Sequence, residues 1–122
     1  MADTHDADRF LPLNPRALVV LLGLAEGDAH GYEIKKRAER QSAGSVSLDV
    51  GSLYRTLAQF LADGLIDERA QPRGANGGDP RRRYYALTDL GREVLAAELR
   101  RLAGLVEFAR AAALLERPEG GR

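Results

Sequence analysis

The segment that most limits what this chain can become is AQPRGANGGDPR, residues 70–81. It lies between two short β-prone runs, LIDER (65–69) and RYYAL (83–87). Glycine, proline and asparagine at this density rule out a helix across the segment and favour a turn. The two runs must therefore fold back on each other as a hairpin with an exposed tip. On the second strand, alternation puts Arg83, Tyr85 and Leu87 on one face and Arg82, Tyr84 and Ala86 on the other. Leu87 favours Tyr85 as the inward tyrosine.

Upstream of the hairpin the apolar residues recur at helical spacing. Asn14 followed by Pro15 is a helix start, a capping side chain ahead of a ring pre-set to the first-turn dihedral. That helix runs to residue 25 and is apolar nearly all round, so it is expected to be buried. EGDAHG breaks it, and a second helix follows over 31–41, with Ile34 and Ala38 inward and Lys35, Lys36, Arg37 and Arg40 largely outward. A third, over 50–63, is capped by Asp49 and stopped by Gly64, with Leu53, Leu57, Phe60 and Leu61 as its core stripe. After the hairpin, Thr88 caps a last helix reaching residue 115, roughly 40 Å at ~1.5 Å per residue.

Three helices, a strand, a loop and a strand, in that order, make a winged helix-turn-helix. The expected fold is mainly α with a small β-hairpin, plus a long C-terminal dimerisation helix. Its parts are a flexible N-terminal arm (1–13), the DNA-binding domain (14–87), the dimerisation helix (88–115) and a flexible tail (116–122).

Charge first argues against a nucleic-acid partner, because 18 basic residues balance 18 acidic ones. The distribution argues for one: Arg69, Arg73, Arg81, Arg82 and Arg83 face a single acid, Asp79, between residues 69 and 83. The sequence has no cysteine, which removes disulfides, thiolate nucleophiles and cysteine metal sites. No cofactor is implied, and His5 and His30 have no further ligands at metal spacing; His30, in a turn, suits a capping role. The longest apolar run, residues 17–25, is too short for a bilayer, and the acidic start MADTHDADRF does not read as a secretory signal. A cytoplasmic protein is the expectation.

Three blocks, AHGYEIKKRAE, VGSLYRTLAQFLADGLI and RRRYYALTDLGREVL, resemble in order and spacing the signature blocks of the PadR family of bacterial transcriptional regulators. The similarity spans residues 18–101. It implies a winged-helix DNA-binding domain, a C-terminal dimerisation helix, repression of nearby genes, and phenolic, aromatic or drug-like effectors. Tyr32, Tyr54, Arg82, Arg83, Tyr84 and Tyr85 occupy family motif positions. Where members commonly have PGTLY this chain has VGSLY, so Ser52 keeps the hydroxyl while Val50 replaces the first-turn proline.

The candidate interface with double-stranded DNA follows. On the third helix it comprises Ser52, Tyr54, Arg55, Thr56 and Gln59; Arg55 has the donors for guanine and Gln59 those for adenine. Tyr32, Lys35 and Lys36 on the second helix would meet the backbone, unless the lysines form only a solvated face. Arg73, Arg81, Arg82, Arg83 and Tyr84 on the wing would neutralise phosphates or enter a minor groove. Leu95, Leu99, Leu102, Val106, Ala109 and Ala113 form a heptad-like seam for a homodimer. A second stripe, Leu90, Val94, Leu105 and Phe108, lies beside it. The other class of function is a winged-helix module that docks on a protein and leaves DNA alone; LADGLIDE, acidic behind the third helix, favours it.

Overall fold

The computed structural model describes residues 7–69 and 83–115. Its elements in chain order are α1 (Pro15–Leu24), β1 (Ala29–His30), α2 (Gly31–Gln41), α3 (Val50–Asp63), β2 (Ile66–Arg69), β3 (Tyr84–Leu87) and α4 (Asp89–Ala111). The caps are those the sequence dictates. Asn14 accepts from the Ala17 N–H at 2.8 Å, and Asp49 from the Ser52 N–H at 2.7 Å. Thr88 accepts from the Gly91 N–H at 3.0 Å, and Gly64 ends α3 with a left-handed φ of 77°. Each cap satisfies N–H or C=O groups that helix geometry leaves without an internal partner.

The core joins Val20, Leu21 and Leu24 of α1 to Ile34 and Ala38 of α2, to Leu53, Leu57 and Phe60 of α3, and to Val94 and Leu95 of α4. Tyr85 and Leu87 of β3 close it from the sheet side. Arg37 ties α1 to α2: its Nη1 donates to the carbonyls of Gly23 and Gly27 at 3.1 and 2.8 Å, and its Nη2 to Glu33 at 3.0 Å.

The sheet has three strands, antiparallel in the order β1-β3-β2, where a two-stranded hairpin was expected. Ala29 pairs with Tyr85 and His30 with Tyr84. The physical reason lies in the cap of α2. His30 accepts from the Glu33 N–H through Nδ1 at 3.2 Å, and a capping residue needs extended dihedrals, here φ −84° and ψ 168°. The residue that starts the helix is thereby already a strand, and it covers an edge of β3 that would otherwise lie bare.

Three further expectations are corrected. Tyr84 is buried rather than facing DNA: β3 is the central strand, and the His30 ring stands edge-on over Tyr84 with centroids 5.4 Å apart. Tyr85 faces the core as expected. Residues 7–13 are not a loose arm, since Ala7 is buried and Phe10, Leu11 and Leu13 pack on the core. The helix α4 stops at Ala111 rather than 115, and Ala113 lies in the turn beyond it with a positive φ of 60°.

Along α4 the apolar residues divide by distance from the body. Val94, Leu95 and Ala97 are buried within the chain, so Leu95, assigned to a dimer seam, belongs to the core instead. Leu99, Leu105, Val106 and Phe108 are exposed, Phe108 to 74%, while Leu102 and Ala109 are half-buried. The body is too small to cover a helix of 23 residues, about 35 Å long. No helix among the described residues is long and apolar enough to cross a membrane.

Candidate nucleic-acid interface

Helix α3 buries Ser52, Leu53, Leu57 and Phe60 and turns Gly51, Tyr54, Arg55, Ala58, Gln59 and Ala62 outward. At 3.6 residues per turn these six share one side, and none is acidic. Ser52 is therefore not placed for base contact: it faces the body at 7% exposure. Thr56 is half-buried, and its hydroxyl donates to the Ser52 carbonyl at 2.9 Å, so its donor is used inside the helix.

Arg55 is exposed, projecting over Gly51. Gln59 gives one amide N–H to Asp63 at 3.1 Å. It keeps its second N–H and its carbonyl oxygen, the donor and acceptor that an adenine edge requires. Gly51, Ala58 and Ala62 between these long side chains let the helix axis approach a groove floor closely. Their contribution was missed from sequence, although their helical spacing from Arg55 carried the signal.

Two exposed tyrosines lie near the seam of α2 and α3. Tyr54 is 48% exposed, and its hydroxyl lies so close to Gly31 that a Cβ there would come within 2.5 Å. Tyr32, the next residue, is 65% exposed and carries the Lys36 ammonium 5.3 Å from its ring centroid, within cation–π range. The structure thus brings Tyr32, Lys36, Tyr54 and Arg55 onto one surface. Lys35 is drawn away, bonded to Glu39 at 2.7 Å, a contact that holds the Glu39 carboxyl below its ordinary value.

At the wing base, Arg83 is exposed and 3.3 Å from Glu68 on β2. A surface pair of this kind is weakly held, so a phosphate can displace the carboxylate. Arg73, Arg81 and Arg82 lie outside the described residues. No cluster of three or more metal-ligating side chains occurs among the described residues.

Residues 20–97 match the Transcriptional regulator PadR-like family. An uncharacterized 37.1 kDa protein in transposon TN4556 of Streptomyces fradiae is 37% identical over 92 residues, which is 75% of this chain and 24% of that protein. Among solved structures, a PadR family transcription regulator from Clostridium difficile R20291 superposes with a TM-score of 0.67 at 23% identity, covering 82% of this chain and 99% of that one. Bacillus subtilis PadR in complex with operator DNA gives a TM-score of 0.57 at 24% identity, over 68% of this chain and 45% of that one. At these identities the structures show a shared fold. The family match over most of the described core establishes that the chain belongs to the PadR-like family of transcriptional regulators, proteins that act on gene expression and not as enzymes.

Proposed function

We propose that this protein is a sequence-specific DNA-binding repressor that acts in the cytoplasm as a homodimer on an inverted-repeat operator. The observation that carries the reading is the outward side of α3, which presents Arg55 and Gln59 and no acidic residue of its own, beside Tyr54, Tyr32 and Lys36. A helix of this shape fits a major groove, with base-edge readers in the middle and phosphate contacts from the neighbouring helix. Arg83 at the wing base would supply sequence-independent attraction, with Arg81 and Arg82 directly before it in the sequence.

The exposed end of α4 supports pairing. Leu99, Leu105, Val106 and Phe108 present apolar surface to water, and burying each fully contributes about 1.5–3 kcal/mol. A second copy of the same helix is the simplest cover. Two recognition helices held by such a pair would sit about 34 Å apart, one turn of DNA. An aromatic or drug-like effector that altered the angle between the halves would release the protein, because the groove spacing of DNA is given.

Binding to random duplex, followed by fluorescence anisotropy at rising salt, tests the reading. Affinity should fall steeply with salt, and Arg82→Ala with Arg83→Ala should flatten that slope by about 2, one per lost phosphate contact. No binding at the lowest salt would leave the protein-docking module as the surviving function.

A further inference from the structure

Glu98 is the one charged side chain among the described residues that is fully buried. Both of its oxygens are engaged. Oε1 accepts from Arg101 Nε at 2.6 Å; Oε2 accepts from Arg101 Nη2 at 3.0 Å and from the Leu13 backbone N–H at 2.8 Å. Leu13 directly precedes Asn14, the cap of α1. A carboxylate on α4 therefore grips the chain where it enters the buried helix of the body.

The place of this grip along α4 gives it meaning. Glu98 is the last buried residue of the helix, and everything from Leu99 onward is exposed or half-buried. The other end of the buried stretch is also pinned. The Thr88 hydroxyl donates to the Gly64 carbonyl at 2.6 Å, and the Thr88 N–H donates to the Leu65 carbonyl at 3.1 Å. Gly64 is the residue that ends α3. From Thr88 to Glu98 is roughly 15 Å of helix. Directional bonds at two points that far apart, one to the end of α3 and one to the entry of α1, define the direction of α4 relative to the body in which α1 and α3 are packed. Between them lie apolar contacts from Val94 and Leu95, which hold without specifying an angle.

A buried ion pair is a poor device for stability alone, since an apolar group of the same size often serves as well. It is a good device for orientation. We infer that Glu98 is a positioning residue for operator spacing: acting through α4, it sets the separation and rotation of the two recognition helices. This rests on the paired reading proposed above.

The test uses an operator selected from random DNA and a series in which the two half-sites are moved apart or together by one and two base pairs. Each step shifts a half-site by about 3.4 Å and rotates it by about 35°. Wild type should lose about tenfold in affinity one step from its optimum, because the duplex must be twisted to fit. Glu98→Met and Arg101→Gln should lose only about threefold or less, while binding a single half-site and dimerising as wild type does. Identical spacing profiles in wild type and both variants would overturn the inference, even if all affinities or the melting temperature fell together. If Glu98→Met does not fold, Arg101→Gln, altered at a partly exposed side chain, decides alone. Failure of wild type to pair or to bind DNA would sink the underlying reading and this one with it; a normal wild type with an unchanged profile in the variants sinks this one only.

Discussion

Arg55 and Arg83 are both exposed guanidinium groups, and their surroundings would give them different work. Arg55 projects from the outward side of α3, over Gly51, where base edges would lie. Arg83 stands at the wing base, loosely paired with Glu68. Arg55→Ala is expected to cost about 1–3 kcal/mol on the preferred half-site and to relax preference at one base pair, with little loss on random duplex. Competition with single-base variants of the operator reads this directly; equal losses on every duplex would make Arg55 a phosphate contact. Glu98 makes a different prediction. The Arg101 hydrogen bonds, aided by the Leu13 N–H, hold its carboxyl below the ordinary value of 4.5. A group whose folded value is depressed contributes stability above its unfolded value, lost as pH falls through the folded one. Acid melts from pH 6 to about 3 should therefore show wild type losing stability below pH ~4.5, with a shallower decline in Glu98→Gln.

At the scale of elements, α4 packs directly on the turn after α3. A Cβ on Gly91 would lie 2.0 Å from the Leu65 carbonyl oxygen, a backbone atom already bonded to the Thr88 N–H. Gly91→Ala should destabilise the protein by about 1–3 kcal/mol or more, measured by urea unfolding, because neither side of that contact can move cheaply. Elements of this kind divide into those legible in the sequence and those not. Asn14, Asp49, Gly64 and Thr88 could be read because capping is chemistry between near neighbours, and the outward side of α3 because helical periodicity is local. The strand Ala29–His30 could not, since its partners Tyr84 and Tyr85 lie far along the chain. The same distance hid the burial of Tyr84 under His30 and the packing of residues 7–13. Within the candidate interface, Ser52 misled because its hydroxyl fits DNA contact while its helix position faces the core. The Glu98–Leu13 contact left no trace at all, its partners being 85 residues apart.

For the whole molecule, an electroneutral chain would reach a polyanion through local concentrations of charge. Arg55 and Gln59 stand on the outward side of α3, Tyr32 and Lys36 on α2 and Arg83 at the wing base, while Glu39 and Glu26 are paired with Lys35 and Arg40. The exposed distal half of α4 would double that surface by pairing. Replacing Leu105 and Phe108 with aspartate should yield monomers by sedimentation velocity and weaken operator binding by at least about a hundredfold, as two linked contacts become one. The most direct measurement of the central claim is selection of bound sequences from a random DNA pool. A palindrome whose half-site centres lie about 10 base pairs apart, or a multiple of that, is the expected outcome. Enrichment of a single unpaired site, or of no sequence, would contradict it.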